Sequence, residues 1–291
     1  MVPGTGKCCA MTSAGHPLRV RPASGPQAAS EQRGRRAAWD PWAVPVLYAR
    51  PRGAAERFAR GLGLRRPVAI FFAALILGLL ALAVLSILLG LFVVHVLVGD
   101  LGLGGADNSV NETMAQHRTG MLTDLSWIGS QVGGAPVLPI LAGLVALVCA
   151  LARRWRIAAF AVFALLTESA TYRITSLVVP RDRPGVHRLE NLPIDASYPS
   201  GHTAASIAVY SGFVLLLTSR FTDSTFRALA WTFAILMTTF VALSRMYRGM
   251  HHPLDVAGGV VVGIGAVLVV LFACRAAGAV ADARRRARAR A

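Results

Sequence analysis

Residues 244–255 read "SRMYRGMHHPLD", a polar link between two long apolar runs. The run "ALAWTFAILMTTFVAL" at 228–243 precedes it, and "VAGGVVVGIGAVLVVLFA" at 256–273 follows it. Runs of this kind are typical of helices that cross a bilayer, because its core of about 30 Å takes about 20 helical residues. A link with two arginines, two histidines and an aspartate at such a boundary requires its own explanation.

The composition of the whole chain also indicates a membrane protein. The 291 residues are 55% hydrophobic and 15% charged, and the apolar residues fall in blocks rather than at amphipathic spacing. The chain is predicted to be all-α, a six-span transmembrane helical bundle with a disordered basic N-terminal tail. The predicted spans are 67–98, 134–152, 157–179, 202–219, 228–243 and 254–273.

Polar segments flank the predicted bundle. Residues 1–66 are rich in Pro, Gly, Ala and Arg and have no early apolar core, which argues against a signal peptide and predicts disorder. The predicted domains are therefore a disordered basic tail at 1–66, a six-helix membrane domain at 67–275 and a basic tail at 276–291. No disulfide framework is predicted from the four cysteines.

The distribution of basic residues predicts the orientation of the chain in the membrane. Twelve Lys and Arg precede residue 67, and alternate links carry further arginines, as does the C-terminal tail. By the positive-inside rule, both termini face the cytoplasm. The links at 99–133, 180–201 and 244–253 then face outward. The net charge of +16 is attributed to this orientation signal, and no nucleic-acid partner is predicted.

Two motifs at the predicted outer face suggest phosphate chemistry. In "PSGH" at 199–202, a serine before a helix and a flexible glycine would leave free N–H groups at a positive helix end, which binds anions. His202 would add an acid or base there. In the opening link, Asp255 leans toward His251 and would orient it by accepting a hydrogen bond from one ring nitrogen. A plain N-cap and a surface histidine fit the same residues.

A metal site is the rival interpretation, because four side chains could serve as ligands: His202, His251, His252 and Asp255. Arg183 and Arg245 converge on the same face, however. A guanidinium group binds two phosphate oxygens in a bidentate arrangement, and it would be repelled by a divalent cation. No metal and no cofactor are therefore predicted.

Together these motifs resemble the type 2 phosphatidic acid phosphatase superfamily, whose pattern is K-x6-R-P, P-S-G-H and S-R-x5-H-x3-D. The second motif is complete at 199–202, and the third is complete from Ser244 to Asp255. The first retains Arg183 and Pro184 but has Ser176 at the lysine position. The resemblance covers about residues 65–275.

The resemblance implies a metal-independent membrane phosphatase in which His251 attacks phosphorus and forms a phosphohistidine. Asp255 would support His251, and His202 would protonate the leaving oxygen and then activate water. The implied phosphate ligands are Arg183, Ser200, Gly201 and Arg245. The implied substrate is a lipid phosphate or polyprenyl diphosphate at the outer membrane face. A lipid phosphotransferase and a non-catalytic protein that binds anionic lipid stay open as alternatives.

Two further expectations concern cations near the site. Because Ser176 removes a positive charge, Arg181 is predicted to replace it, in preference to Arg173. Glu168 and Arg173 lie within the third predicted span, where charges usually pair or face water. They are predicted to pair with each other rather than to bind a headgroup.

Overall fold

The computed structural model describes residues 44–63, 66–191 and 196–290, and this part of the chain contains helices and no strand. The helices are α1 Ala54–Gly61, α2 Pro67–Asp100, α3 Gly104–Gln116, α4 Gly120–Val132, α5 Val137–Leu151, α6 Trp155–Val178, α7 Gly201–Thr218, α8 Ser224–Tyr247 and α9 Pro253–Arg288. Both α2 and α7 include π-helical turns, at Val93–Asp100 and Ile207–Ser211.

Six helical segments are long and apolar enough to cross a membrane, as the sequence predicts. The second of them, Gly120–Leu151, begins well before the predicted start at 134, because α4 precedes α5 in the same span. The helix is interrupted at Gly133–Pro136, where glycines and a proline disfavour continuous helical hydrogen bonding. The fifth span is a full 24 residues, longer than the apolar block alone indicates.

The ends of the bundle differ from the predicted domain boundaries. Residues 1–43 of the predicted tail lie outside the described residues, but α1 lies within that tail and is helical. Phe58 of α1 packs edge-on against Phe272 of α9, with ring centroids 5.3 Å apart. Helix α9 runs on to Arg288, past the predicted end at 275, because alanine and arginine favour helix.

Helix α9 is the central element and packs against α1, α2, α6 and α7. Small residues let it approach α7 closely, as is common between membrane helices. A Cβ on Gly259 would lie 2.5 Å from the Ser200 carbonyl oxygen, and one on Gly263 would lie 2.6 Å from that of Ala204. These glycines therefore bring the beginning of α9 against the beginning of α7.

Candidate active site

The three motifs meet at one end of the bundle. The backbone N–H of Ser200, just before α7, donates to the carbonyl of Asp255 in α9, with N and O 2.9 Å apart. Arg183, in the link after α6, donates from Nη1 to the Met250 carbonyl at 2.5 Å. Hydrogen bonds thus join the link before α7 and the link before α9 into one polar layer.

A cavity of about 310 Å³ opens beside this layer. Its polar wall contains Glu168, Ser169, Tyr172, Arg173, Gly201, His202 and His251. Leu138, Pro139 and Leu165 contribute apolar surface. The two predicted catalytic histidines therefore line one space that fits a molecule with a polar end and an apolar end.

His251 is held by a backbone carbonyl rather than by the predicted carboxylate. Its side chain is buried, and Nδ1 lies 2.7 Å from the carbonyl oxygen of Ser197. A carbonyl only accepts, so Nδ1 carries the proton and Nε2 keeps its lone pair. Burial lowers the pKa of His251 well below its ordinary value, Arg245 lowers it further, and Asp255 opposes them. The ring is therefore a neutral potential nucleophile.

Asp255 supports His251 indirectly, which corrects the predicted contact. Its Oδ2 lies 3.9 Å from Nδ1 of His251, beyond hydrogen-bonding distance. The carboxylate instead accepts from the Ser197 hydroxyl, and from the His252 backbone N–H at 2.7 Å. Ser197 thus connects the two, because its hydroxyl binds Asp255 and its carbonyl binds His251. The orientation expected of Asp255 is achieved through this serine.

The contacts of Arg181 contradict its predicted role as a phosphate ligand. Nη1 donates to Oδ1 of Asp255, and Nη2 donates to Asp107 of α3. All three side chains are buried. A guanidinium that neutralises two buried carboxylates has little capacity left for a phosphoryl group. Arg181 therefore joins α3 to the beginning of α9.

Ser200, Gly201 and Arg183 lie where the motifs predict, with differences in detail. Ser200 occupies the N-cap position of α7, but its hydroxyl bonds that of Thr203 at 3.0 Å and makes no cap. Gly201 lines the cavity, and a Cβ there would lie 3.1 Å from the Tyr172 ring. Arg183 is buried. Phosphate binding by these three residues stays a prediction.

Arg245 is fully buried at the end of α8, and an acidic residue that sequence analysis missed accompanies it. Nη1 of Arg245 donates to Oε2 of Glu190 at 2.6 Å, and also to the Ser130 hydroxyl. Nε of Arg248 donates to Oε1 of the same glutamate at 2.5 Å. Burial alone would raise the pKa of Glu190, but Arg245 and Arg248 bring it to about 2. Glu190 is therefore an anion between two cations.

Glu168 and Arg173 are not the ion pair that the sequence suggests. Five helical positions separate their side chains by more than a third of a turn, and no ion pair joins them in the described structure. A Glu168 carboxylate oxygen accepts from the Ser169 hydroxyl at 3.1 Å. Both Glu168 and Arg173 line the cavity with His202. Their location favours the headgroup-binding alternative.

Helix α3 holds the link that contains His251 from the other side. The Asn111 side-chain amide donates to the carbonyls of Met246 and His251, each at 3.0 Å. Asp107 accepts from the backbone N–H of Leu254 at 3.1 Å. Asp107 and Asn111 are one helical turn apart, a spacing visible in the sequence, but nothing there names their partners.

The side chains considered as metal ligands do not gather around one point. Within residues 44–63, 66–191 and 196–290, no three His, Cys, Asp or Glu side chains are grouped so as to hold a metal ion. The oxygens of Asp255 are occupied by Arg181, Ser197 and His252. Independence from metal stays a prediction.

Comparison with known proteins covers the same part of the chain. The sequence model of the PAP2 superfamily matches residues 157–277. Bacitracin transport permease protein BcrC of Bacillus licheniformis is 34% identical over 89 residues, 31% of this chain and 39% of the relative. Undecaprenyl-diphosphatase of Sulfolobus acidocaldarius is 41% identical over 75 residues, which are 26% of this chain and 32% of the relative. Human sphingosine-1-phosphate phosphatase 2 is 37% identical over 92 residues, which are 32% of this chain and 22% of the relative. Each match spans less than half of the relative.

The fold also has a counterpart of known structure. The crystal structure of a transmembrane PAP2 type phosphatidylglycerolphosphate phosphatase from Bacillus subtilis superposes with a TM-score of 0.55. The alignment covers 71% of this chain and 94% of that one at 20% identity, which shows a shared fold. Six apolar helices and these matches lead to one conclusion: this is a multi-pass membrane protein whose residues 157–277 match the sequence model of the PAP2 superfamily.

Proposed function

We propose that this protein is an integral membrane phosphatase that hydrolyses lipid phosphates through a phosphohistidine on His251. The observation that carries the proposal is the shared cavity, in which His202 and His251 face a space with one apolar wall. A lipid headgroup would lie against the histidines while its chain follows the apolar wall toward the bilayer. Metal is not needed in this scheme.

The first step is attack by His251. Its Nε2 lone pair forms a bond to phosphorus, and the bond from phosphorus to the leaving oxygen breaks. Protonated His202 gives its proton to that oxygen, so that the dephosphorylated lipid leaves neutral. The Nδ1–H bond to Ser197 supports the positive charge that forms on the His251 ring.

The second step is hydrolysis of the phosphohistidine. His202, now neutral, takes a proton from water while the water oxygen bonds to phosphorus and the bond to Nε2 breaks. Inorganic phosphate leaves, and both histidines return to their starting states. Arg183, Arg245, Ser200 and the Gly201 amide are the proposed donors to the phosphoryl oxygens as charge redistributes in each transition state.

The names of the relatives suggest the range of substrates. They include a phosphatase of sphingosine 1-phosphate and a diphosphatase of undecaprenyl diphosphate. We propose that this chain acts on a lipid phosphate or polyprenyl diphosphate. The alternating arginine-rich links support a site at the outer membrane face with both termini in the cytoplasm.

The decisive experiment measures phosphate release by the purified full chain. Phosphatidic acid, sphingosine 1-phosphate, phosphatidylglycerol phosphate and undecaprenyl diphosphate are offered in turn, with and without an alcohol acceptor, with chelator, and with vanadate. We expect release from at least one lipid, unchanged by chelator and inhibited by vanadate. Transfer to the alcohol in place of release would indicate the phosphotransferase, and no reaction with any lipid would contradict both.

Sidedness has its own test. In a cysteine-free background, Arg188→Cys and Arg220→Cys replace exposed residues in opposite links. An impermeant thiol reagent added to intact cells is expected to label position 188 and not position 220. Labelling of position 220 and not of position 188 would indicate that the site faces the cytoplasm.

A further inference from the structure

Glu190 lies in the link between α6 and α7, and its carboxylate accepts side-chain hydrogen bonds from Arg245 and Arg248. Its two carboxylate oxygens are divided between two arginines, Oε2 to Arg245 and Oε1 to Arg248. Backbone contacts set its position. The Leu189 N–H donates to the Arg248 carbonyl, and Nη2 of Arg248 donates to the Leu189 carbonyl, both at 3.1 Å.

The guanidinium of Arg245 is satisfied on only one of its edges. Nη1 binds Glu190 and the Ser130 hydroxyl, whereas Nε and Nη2 are buried and have no hydrogen-bond partner among the described residues. Nε and Nη2 share the edge of the planar group that binds two oxygens of a phosphate side by side. Buried donors without partners are costly, so an anionic ligand is the natural occupant of that edge.

Arg245 is also close enough to act on the nucleophile. After burial, it is the largest influence on the ionisation of His251. A phosphoryl group bound at the open edge would therefore lie within the electrostatic reach of the attacking ring. The orientation of this guanidinium would then contribute to where the phosphorus sits relative to Nε2, together with the other proposed phosphoryl donors.

We propose that Glu190 is a positioning residue for phosphoryl transfer: by holding Nη1 of Arg245, it directs the Nε and Nη2 edge toward the substrate phosphoryl group. The inference rests on the proposed phosphatase function and adds a residue outside the three motifs. Ser130 assists through the same nitrogen. Arg248 holds the opposite oxygen of the glutamate and keeps it from rotating.

A competing interpretation makes the opposite experimental claim. If Glu190 were an internal anion that occupies Arg245 in place of phosphate, its removal would free the arginine and strengthen phosphate binding. If Glu190 positions Arg245, its removal weakens phosphate binding. The sign of the change in affinity for a phosphate mimic therefore separates them.

The test uses Glu190→Gln in the purified full chain, with Glu112→Gln as the matched control. Glu112 is an exposed glutamate of α3 whose carboxylate binds Asn108, away from Arg245. Two quantities are measured: vanadate affinity from thermal stabilisation, and kcat/KM on the lipid that the wild type hydrolyses. For Glu190→Gln we expect vanadate affinity and kcat/KM each to fall at least tenfold, mainly through KM. Glu112→Gln should match the wild type.

Two further variants keep the test decisive. Ser130→Ala removes the other partner of Nη1 and should shift vanadate affinity in the same direction by less. Glu190→Asp retains the charge but is one methylene shorter, so it should weaken vanadate binding by less than Glu190→Gln does. It is measured in place of the glutamine variant if that protein is not recovered folded. Unchanged or tighter vanadate binding in either Glu190 variant overturns the inference. A wild type that neither binds vanadate nor hydrolyses any lipid overturns the proposed function instead.

Discussion

Charged side chains differ in solvent exposure between the two ends of the bundle. At the end that contains His251, Arg181 and Asp255 form an ion pair whose side chains are 8% and 0% exposed. At the other end, Arg285 and Asp282 of α9 pair while 71% and 32% exposed. The first pair has lost nearly all contact with solvent, and the second remains hydrated.

The difference distinguishes the buried charges of the candidate active site from the exposed charges that are predicted to orient the chain in the membrane. Removing an ion from water costs several kcal/mol, so buried charges persist only where precise partners hold them. Of the arginines in the links predicted to face outward, Arg118, Arg181, Arg183, Arg245 and Arg248 all donate to atoms of other links or helices. The exposed arginines near the C-terminus act as solvated charges, which suits an orientation signal.

The largest effect is expected at the histidines. His251→Ala should lower phosphate release by about 10³-fold or more, because binding energy cannot replace a nucleophile, and His202→Ala should cost roughly 10²- to 10⁴-fold. His117→Ala, at an exposed histidine of the same end, is the matched control. Near-normal turnover by folded His251→Ala would remove the phosphohistidine from the mechanism.

The two ion pairs provide the direct comparison of stability. Asp255→Asn should destabilise the protein by about 2–3 kcal/mol, because Arg181 keeps Asp107 as a partner but loses a buried, charge-assisted hydrogen bond to Asp255. Asp282→Asn should cost less than about 1 kcal/mol. Thermal unfolding in one detergent measures both. Equal losses would mean that burial does not distinguish the two ends.

A smaller effect is expected at the cavity wall, where we propose that Arg173, rather than Arg181, compensates for the missing lysine. Arg173→Gln should lower kcat/KM about tenfold, or about 1.4 kcal/mol, and less in a Ser176→Lys background. Arg220→Gln, at an exposed position in another link, is the control. If the effects of the Arg173 and Ser176 substitutions on phosphate release are strictly additive, Arg173 does not compensate for the missing lysine.

The smallest expected effect is the pH dependence due to Glu190. Its pKa of about 2 lies below the ordinary value of 4.5, so its ionised form favours the folded state. This contribution is complete above about pH 4.5 and is lost as the pH falls toward 2. The unfolding temperatures of wild type and Glu190→Gln should therefore converge as the pH falls from about 5 to about 2. A constant difference would contradict the depressed pKa.

The error at Arg181 shows why sequence proximity is a poor guide to a site. Arg181 is two residues from Arg183, yet its guanidinium lies between Asp107 and Asp255. Arg173, ten residues before Arg183, lines the cavity with both histidines. Side chains near the end of a helix diverge in direction, and only the packed neighbours determine which one reaches a given space.

The support of His251 shows the same limitation in a milder form. The spacing of His251 and Asp255 correctly predicts two side chains that lie near each other, but not the serine that connects them. Ser197 lies 54 residues before His251, and its contact with His251 is through a backbone carbonyl, which every residue type carries. No pattern of side chains could have identified it.

The amino-acid sequence by itself determined the all-α class, the six apolar spans and the motifs that meet at one end of the bundle. These follow from segment length and local residue chemistry, which act over a few helical turns. Tertiary structure alone decided the partners of the buried charges: Glu190 with Arg245, Arg181 with two carboxylates, and Ser197 with His251. Those partners come from distant segments, and their choice depends on packing geometry and on the high cost of leaving a buried charge unpaired.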